Sequence, residues 1–109
     1  MHWEIIFFES PRGEKFVKEF IKSQNTSTIS KIAHKIDLLE THGIYLGIPH
    51  SKKLTSELYE LRVRGNQEIR IVYAFVGATI YLLHAFKKQS QKTPVKEIET
   101  ALKRFMSLQ

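Results

Sequence analysis

Residues 58–92 read LYELRVRGNQEIRIVYAFVGATIYLLHAFKKQSQK. Short breaks at Gly65-Asn66 and Val76-Gly77 separate three runs of strand-forming residues, which predicts a three-stranded antiparallel meander. In the first run Tyr59, Leu61 and Val63 alternate with Glu60, Arg62 and Arg64, the period of two of a half-buried strand. In the second, Ile69, Ile71, Tyr73 and Phe75 share one face, and Glu68, Arg70, Val72 and Ala74 the other. In the third, Ile80, Leu82, His84 and Phe86 are expected on one face and Tyr81, Leu83 and Ala85 on the other, before the run ends in Lys87-Lys88. A small sheet has no structural need for so many cationic groups.

Upstream, Trp3–Phe8 is a short aromatic and β-branched run expected to join the meander as a strand. Phe16, Val17, Phe20 and Ile21 then mark an amphipathic helix, for which Ser10 and Pro11 are candidate cap and first-turn residues. Asn25-Thr26-Ser27 breaks the pattern. A second helix follows through Ile29, Ile32, Ala33, Ile36 and Leu39 and ends at Gly43, giving a helical hairpin over one sheet face. Residues 43–57 hold two glycines and a proline without sustained period and read as a long loop carrying His50, Lys52 and Lys53. Thr93-Pro94 reads as a cap and first helical residue, and Val95, Ile98, Ala101, Leu102, Phe105 and Met106 form the stripe of a C-terminal helix. The expected class is α+β, a small antiparallel sheet with a helical hairpin on one face and a C-terminal helix.

The 109 residues fit one domain spanning 1–109, and 42% hydrophobic content argues against disorder. No cysteine is present, so disulfides and cysteine-ligated metal centres are excluded. The N-terminal apolar run is far shorter than the roughly 20 residues that span a bilayer and lacks a basic leader, so a cytoplasmic protein with no membrane partner is expected. Net charge is +6, and its excess is lopsided: residues 1–50 hold 6 Lys/Arg and 6 Asp/Glu, residues 51–109 hold 11 and 5. A polyanionic partner, nucleic acid or acidic protein, fits that asymmetry. Phosphate loops, dinucleotide turns and HExxH are absent, and the five histidines have no metal-pair spacing, so neither metal nor cofactor is expected.

What remains is a cluster of Lys, Arg, His and Tyr. Metal-free RNA cleavage requires a base for the 2′-OH, cations for the phosphorane and an acid for the leaving 5′-oxygen, and these residue types supply all three. An ion pair with Glu60 or Glu68 accounts for Arg70 equally well, and a histidine on an apolar stripe such as His84 is more often a satisfied core residue.

The element order, with LYELR, RIVY and HAFKKQSQKTP, resembles the phage-derived, HigB-like branch of the RelE toxin superfamily over nearly the whole chain. The resemblance implies the toxin of a type II toxin–antitoxin pair, a ribosome-dependent mRNA endonuclease neutralised by a helix-turn-helix, HigA-like antitoxin. Carried onto this sequence it makes Arg70, Lys53, His84 and Lys87 candidate catalytic residues. Arg62, Arg64, Lys52 and Lys88 become candidate contacts to mRNA or 16S rRNA. The C-terminal tyrosine of some relatives has no match in ALKRFMSLQ, which leaves acid and base unassigned. A non-catalytic module of phage origin that occupies RNA, ribosome or partner is the alternative.

Overall fold

The computed structural model describes residues 2–108. Strand β1 (Glu4–Phe7) leads into helices α1 (Phe16–Lys22) and α2 (Thr26–His42). After a 3-10 turn come β2 (Ser51–Lys53), β3 (Tyr59–Val63), β4 (Ile69–Val76), β5 (Thr79–Lys87) and helix α3 (Val95–Met106). The sheet order is β1-β5-β4-β3-β2. The meander β3–β5 is antiparallel, as its short turns dictate, whereas β1 returns through the helical hairpin and pairs parallel to β5. The sheet is therefore mixed rather than wholly antiparallel. Within the expected loop, β2 pairs antiparallel with β3. Ser-Lys-Lys has no β-branched or aromatic residue to announce a strand, and its place comes from the open edge of β3. Its lysines suit an edge, where charge discourages further pairing.

Both sheet faces are covered. Val17 of α1 and Ile32 and Leu39 of α2 pack on Leu61, Ile69, Ile71, Tyr73, Ile80 and Leu82. On the other face, Ala101 of α3, flanked by Ile98, Leu102 and Phe105, packs on Val72, Ala74, Leu83 and Phe86. The alternation expected for β3 and β4 is the one observed. Strand β5 departs from it, because Val72 lies opposite His84 while Tyr73 lies opposite Leu82, leaving Leu83 as an extra residue in a β-bulge. Each side chain beyond Leu83 changes face. His84 and Phe86 thus point toward α3 and Ala85 toward the helical hairpin, the reverse of the expected phase.

The bulge delivers His84 to polar groups of α3. Its Nε2–H donates to Glu97 Oε1 at 2.7 Å, and Nδ1 accepts from Arg104 Nη1 at 3.3 Å, a pattern that requires the neutral ring. Arg104 also donates to the Leu83 carbonyl at 2.8 Å and lies over the Phe16 ring. Burial lowers the His84 pKa below its ordinary value, outweighing the hydrogen bond to Glu97, and the Arg104 charge acts in the same direction.

Termini of the helices are set locally. Asn25 caps α2 by accepting the Thr28 N–H at 2.8 Å. Ser10 closes a turn with Glu14 ahead of α1, so the helix starts only at Phe16. Gly43 ends α2 at φ 52°, and a Cβ there would lie 1.9 Å from the Trp3 indole Nε1. Trp3 is fixed from its other side by its backbone N–H to the Glu40 carbonyl. Gly43→Ala therefore combines an unfavourable backbone with a clash, and is expected to cost at least ~2 kcal/mol in urea unfolding.

For His84, the unfolded chain binds more protons than the folded one between the lowered pKa and the ordinary value of about 6.5. Its contribution to stability is complete above about pH 6.5 and is lost as pH falls through that window. NMR titration should place the His84 midpoint below 6.5. Replacement by Gln should shrink the stability difference between pH 7 and pH 5, and an unchanged difference would count against the neutral ring.

Candidate functional site

Strand alternation places Glu60, Arg62 and Arg70 on the α3 side of the sheet, with Arg62 directly opposite Arg70. Two like charges in opposite positions repel, and a carboxylate resolves the conflict. Glu60, only 1% exposed, holds Oε2 at 3.4 Å from Arg62 Nε and 3.8 Å from Arg70 Nε. Its other oxygen accepts the Thr93 hydroxyl at 2.7 Å. Thr93 is thus drawn away from the expected helix cap, and Pro94 occupies the N-cap position of α3 without a side-chain bond. The bond ties the segment before α3 to β3.

Arg70 is 4% exposed. Nη1 donates to Glu68 Oε2 at 2.9 Å and to the Ile69 carbonyl at 3.1 Å, while the buried Nε has no hydrogen-bond partner among the described residues. Arg64 reaches Glu68 at 3.7 Å from the surface. Lys88 follows the end of β5, where its backbone N–H donates to the Glu68 carbonyl at 2.7 Å. Partial burial lowers its pKa, with the charges of Arg70, Arg62 and Lys52 acting in the same direction and Glu60 against them.

These residues form one open basic trough. A cavity of about 590 Å³ is lined by Arg62, Arg64, Glu68, Arg70, Lys88 and Gln89–Gln91. A second, of about 270 Å³, shares Arg62, Lys88 and Gln91 with it and adds Lys52, Lys53, Glu60, Lys92 and Thr93. Lys52 stands opposite Glu60 and so shares its face, whereas Lys53 stands opposite Tyr59 and holds its ammonium 5.8 Å from that ring's centroid.

The structure thus brings together Arg62, Arg64, Arg70, Lys52 and Lys88 among the candidates from sequence, while Lys53 borders the smaller cavity with its ammonium turned to Tyr59 on the other face. It does not bring His84 or Lys87 to the trough. Both ring nitrogens of His84 are engaged by α3, and Lys87 is exposed opposite Ile69, on the helical-hairpin side. Glu60, treated in sequence only as an ion-pair partner for Arg70, is the hub. The signal was present, since Glu60 and Arg62 share a polar face of one short strand. Thr93 carried no such signal, because a Thr-Pro pair ahead of an amphipathic stripe reads as a cap. Among the described residues no three His, Cys, Asp or Glu side chains gather as they would around a metal ion, and no helix is long and apolar enough to cross a membrane.

Comparisons with known proteins agree with this architecture. A comparison with curated proteins finds no match. Among solved structures, a chain of the YoeB-YefM complex from Staphylococcus aureus superposes with a TM-score of 0.55 at 21% identity, over 83% of this chain and 100% of that one. A chain from a crystal structure of the heterotetrameric YoeB-YefM toxin-antitoxin complex of the same organism gives 0.51 at 21% identity, over 75% and 92%. At such identities the likeness is one of fold. The family model described as "Phage derived protein Gp49-like (DUF891)" matches residues 19–106, from the second half of α1 through α2, the meander with its basic trough, and α3. The chain belongs to the phage-derived Gp49-like family.

Proposed function

We propose that this protein is the toxin of a type II toxin–antitoxin pair, in the HigB-like branch of the RelE superfamily, and that it cleaves mRNA on the ribosome without a metal. The observation that carries this reading is the basic trough, in which Arg62, Arg70 and Lys88 surround a buried carboxylate. The fold shared with a chain of a toxin–antitoxin complex supports it, and so does the family. An antitoxin of the helix-turn-helix class is the expected protein partner.

In this reading the substrate phosphodiester lies across the trough. Attack of the 2′-OH on phosphorus, with loss of its proton, adds negative charge to the non-bridging oxygens before the P–O5′ bond breaks to give a 2′,3′-cyclic phosphate and a 5′-OH that has taken up a proton. A fixed arginine stabilises that charge more in the transition state than in the ground state. Arg62, which Glu60 orients, takes this role, while the buried Arg70 holds Glu60 and Glu68 in place. Lys88, which lines both cavities beside Arg62 and whose pKa burial lowers below the ordinary lysine value, is assigned the proton transfer. Lys52 and Arg64 hold the flanking backbone as point charges.

Arg62→Ala and Lys88→Arg test the two roles on ribosomes programmed with mRNA. Arg62→Ala also takes from Glu60 its nearer guanidinium partner, so the variant is compared with wild type by circular dichroism and urea unfolding, and in the folded protein cleavage should fall about 10²–10³-fold. Arg70→Ala is a poorer probe, since it strips a buried carboxylate of a partner and is expected to cost ~3–5 kcal/mol in stability. Lys88→Arg keeps the charge but not an accessible pKa. It should retain RNA affinity, lose about 10²-fold or more in turnover, and remove the pH-rate limb that Lys88 supplies below the ordinary lysine value. Intact mRNA under conditions of growth arrest would refute the nuclease and favour a protein that acts by occupancy alone.

A further inference from the structure

A second group of cations lies outside the trough, on α2. At 3.6 residues per turn, Lys31 and Lys35 fall within about 40° of one another around the helix, whereas Asp37 and Glu40 lie about 120–180° away from Lys31. Like charges at i, i+4 disfavour a helix slightly, and acidic residues on the same stripe would ordinarily offset them. Here none does. Among the described residues the ion pairs involve Arg62, Arg64, Arg70 and His84, and none involves Lys31 or Lys35.

The folded chain holds these groups at the margin of the hairpin face, beside the start of β2 and the β3–β4 turn. Lys35 Nζ donates to His50 Nδ1 at 2.7 Å, and His50 precedes β2, its carbonyl accepting the Arg62 N–H at 2.8 Å. Lys31 lies over the β3–β4 turn, its Nζ 2.7 Å from where a Cβ on Gly65 would sit. Between this group and the trough stands Arg64, whose side chain is 59% exposed, lines the larger cavity, and is close enough for its charge to act on Lys35. A path of cations therefore leads from Lys88 and Arg62, through Arg64 with Glu68 beside it, to Lys31 and Lys35.

We propose that the Lys31–Lys35 side of α2 is a second phosphodiester-binding site, holding RNA backbone that leaves the trough over Arg64. It rests on the reading that the trough takes RNA. Spacing of cations along a continuous path suits a polyanion with regularly repeated charge, and strand-tracking sites of this kind span about 4–16 nucleotides. An acidic protein surface is the competing occupant. Continuity through Arg64 with the trough favours RNA.

The test measures affinity for fluorescent oligouridylates of about 4 and about 16 nucleotides against salt, with the wild type and the Lys31→Gln/Lys35→Gln variant. Binding of the 4-mer should be unchanged. For the 16-mer, affinity at low salt should fall about tenfold or more, and the log–log salt slope should lose about 1.4, two contacts at roughly 0.7 each. Lys31→Gln alone removes an exposed side chain without a hydrogen bond and should lose about 0.7, which keeps the test decisive if the double variant is unstable. Equal effects on both lengths, or an unchanged slope, would overturn the site. Undiminished 16-mer binding with lost binding to polyglutamate would assign the surface to an acidic protein instead. Ribosome-dependent cleavage by the same wild-type preparation separates the two readings. Absent cleavage with length-dependent binding removes the nuclease and leaves the site, and the opposite pair of results does the reverse.

Discussion

Glu60 is the interaction on which the polar face of this sheet depends. Without it, Arg62 and Arg70 would oppose one another across β3 and β4 with nothing between them. Its own burial is costly, because an ionised carboxylate loses several kcal/mol of hydration and recovers it only through good partners. One oxygen faces two guanidinium groups and the other accepts the Thr93 hydroxyl. Apolar residues of similar volume would stabilise such a position at least as well. What the carboxylate supplies instead is fixed, partly desolvated positive charge at an open surface, held in place before any ligand arrives.

Much of this was legible in the chain because strands β3 and β4 keep a strict period of two, which puts Glu60 with Arg62 and Arg70 with Glu68, while the register that sets Arg62 opposite Arg70 comes from the fold. Strand β5 was misread beyond Leu83. An extra residue in a Leu-Leu pair changes neither hydropathy nor turn chemistry, so the bulge leaves no mark in the sequence, yet it reverses the direction of each side chain after it. His84 moved with it, from an expected apolar stripe to a neutral link between β5 and α3. The parallel placement of β1 was also unreadable, since the sense of pairing follows from how the helical hairpin carries the chain back over the sheet.

Lysines of the 43–57 segment show a different limit. Within a loop no residue has a face, and Lys52 and Lys53 were distinguishable only by what relatives use. Pairing of β2 with β3 supplies the phase, setting Lys52 beside Glu60 and Lys53 beside Tyr59. The same pairing buries Ser51, whose hydroxyl meets that of Tyr73. Burial pushes the Tyr73 pKa up to about 12, so this tyrosine is a neutral hydrogen-bonding partner of the core. Each of these assignments belongs to tertiary structure, and none to local propensity.

The position of the trough follows from how few helices cover the sheet. An α-helix with its side chains is about 10–12 Å across, whereas five strands about 4.8 Å apart span roughly 19 Å. Two helices, α1 and α2, cover one face. On the other, α3 stands alone and packs on β5 and β4. The α3 side of β3 and β2 is therefore left to the polar segment 88–94, and residues emerging there must be compatible with water. Arg62 and Lys52 are those residues, with Glu60 buried beneath them, and Lys88 is the first residue of the segment that closes over them. A single helix over one face both completes the core and leaves the opening into which the cations of the meander project.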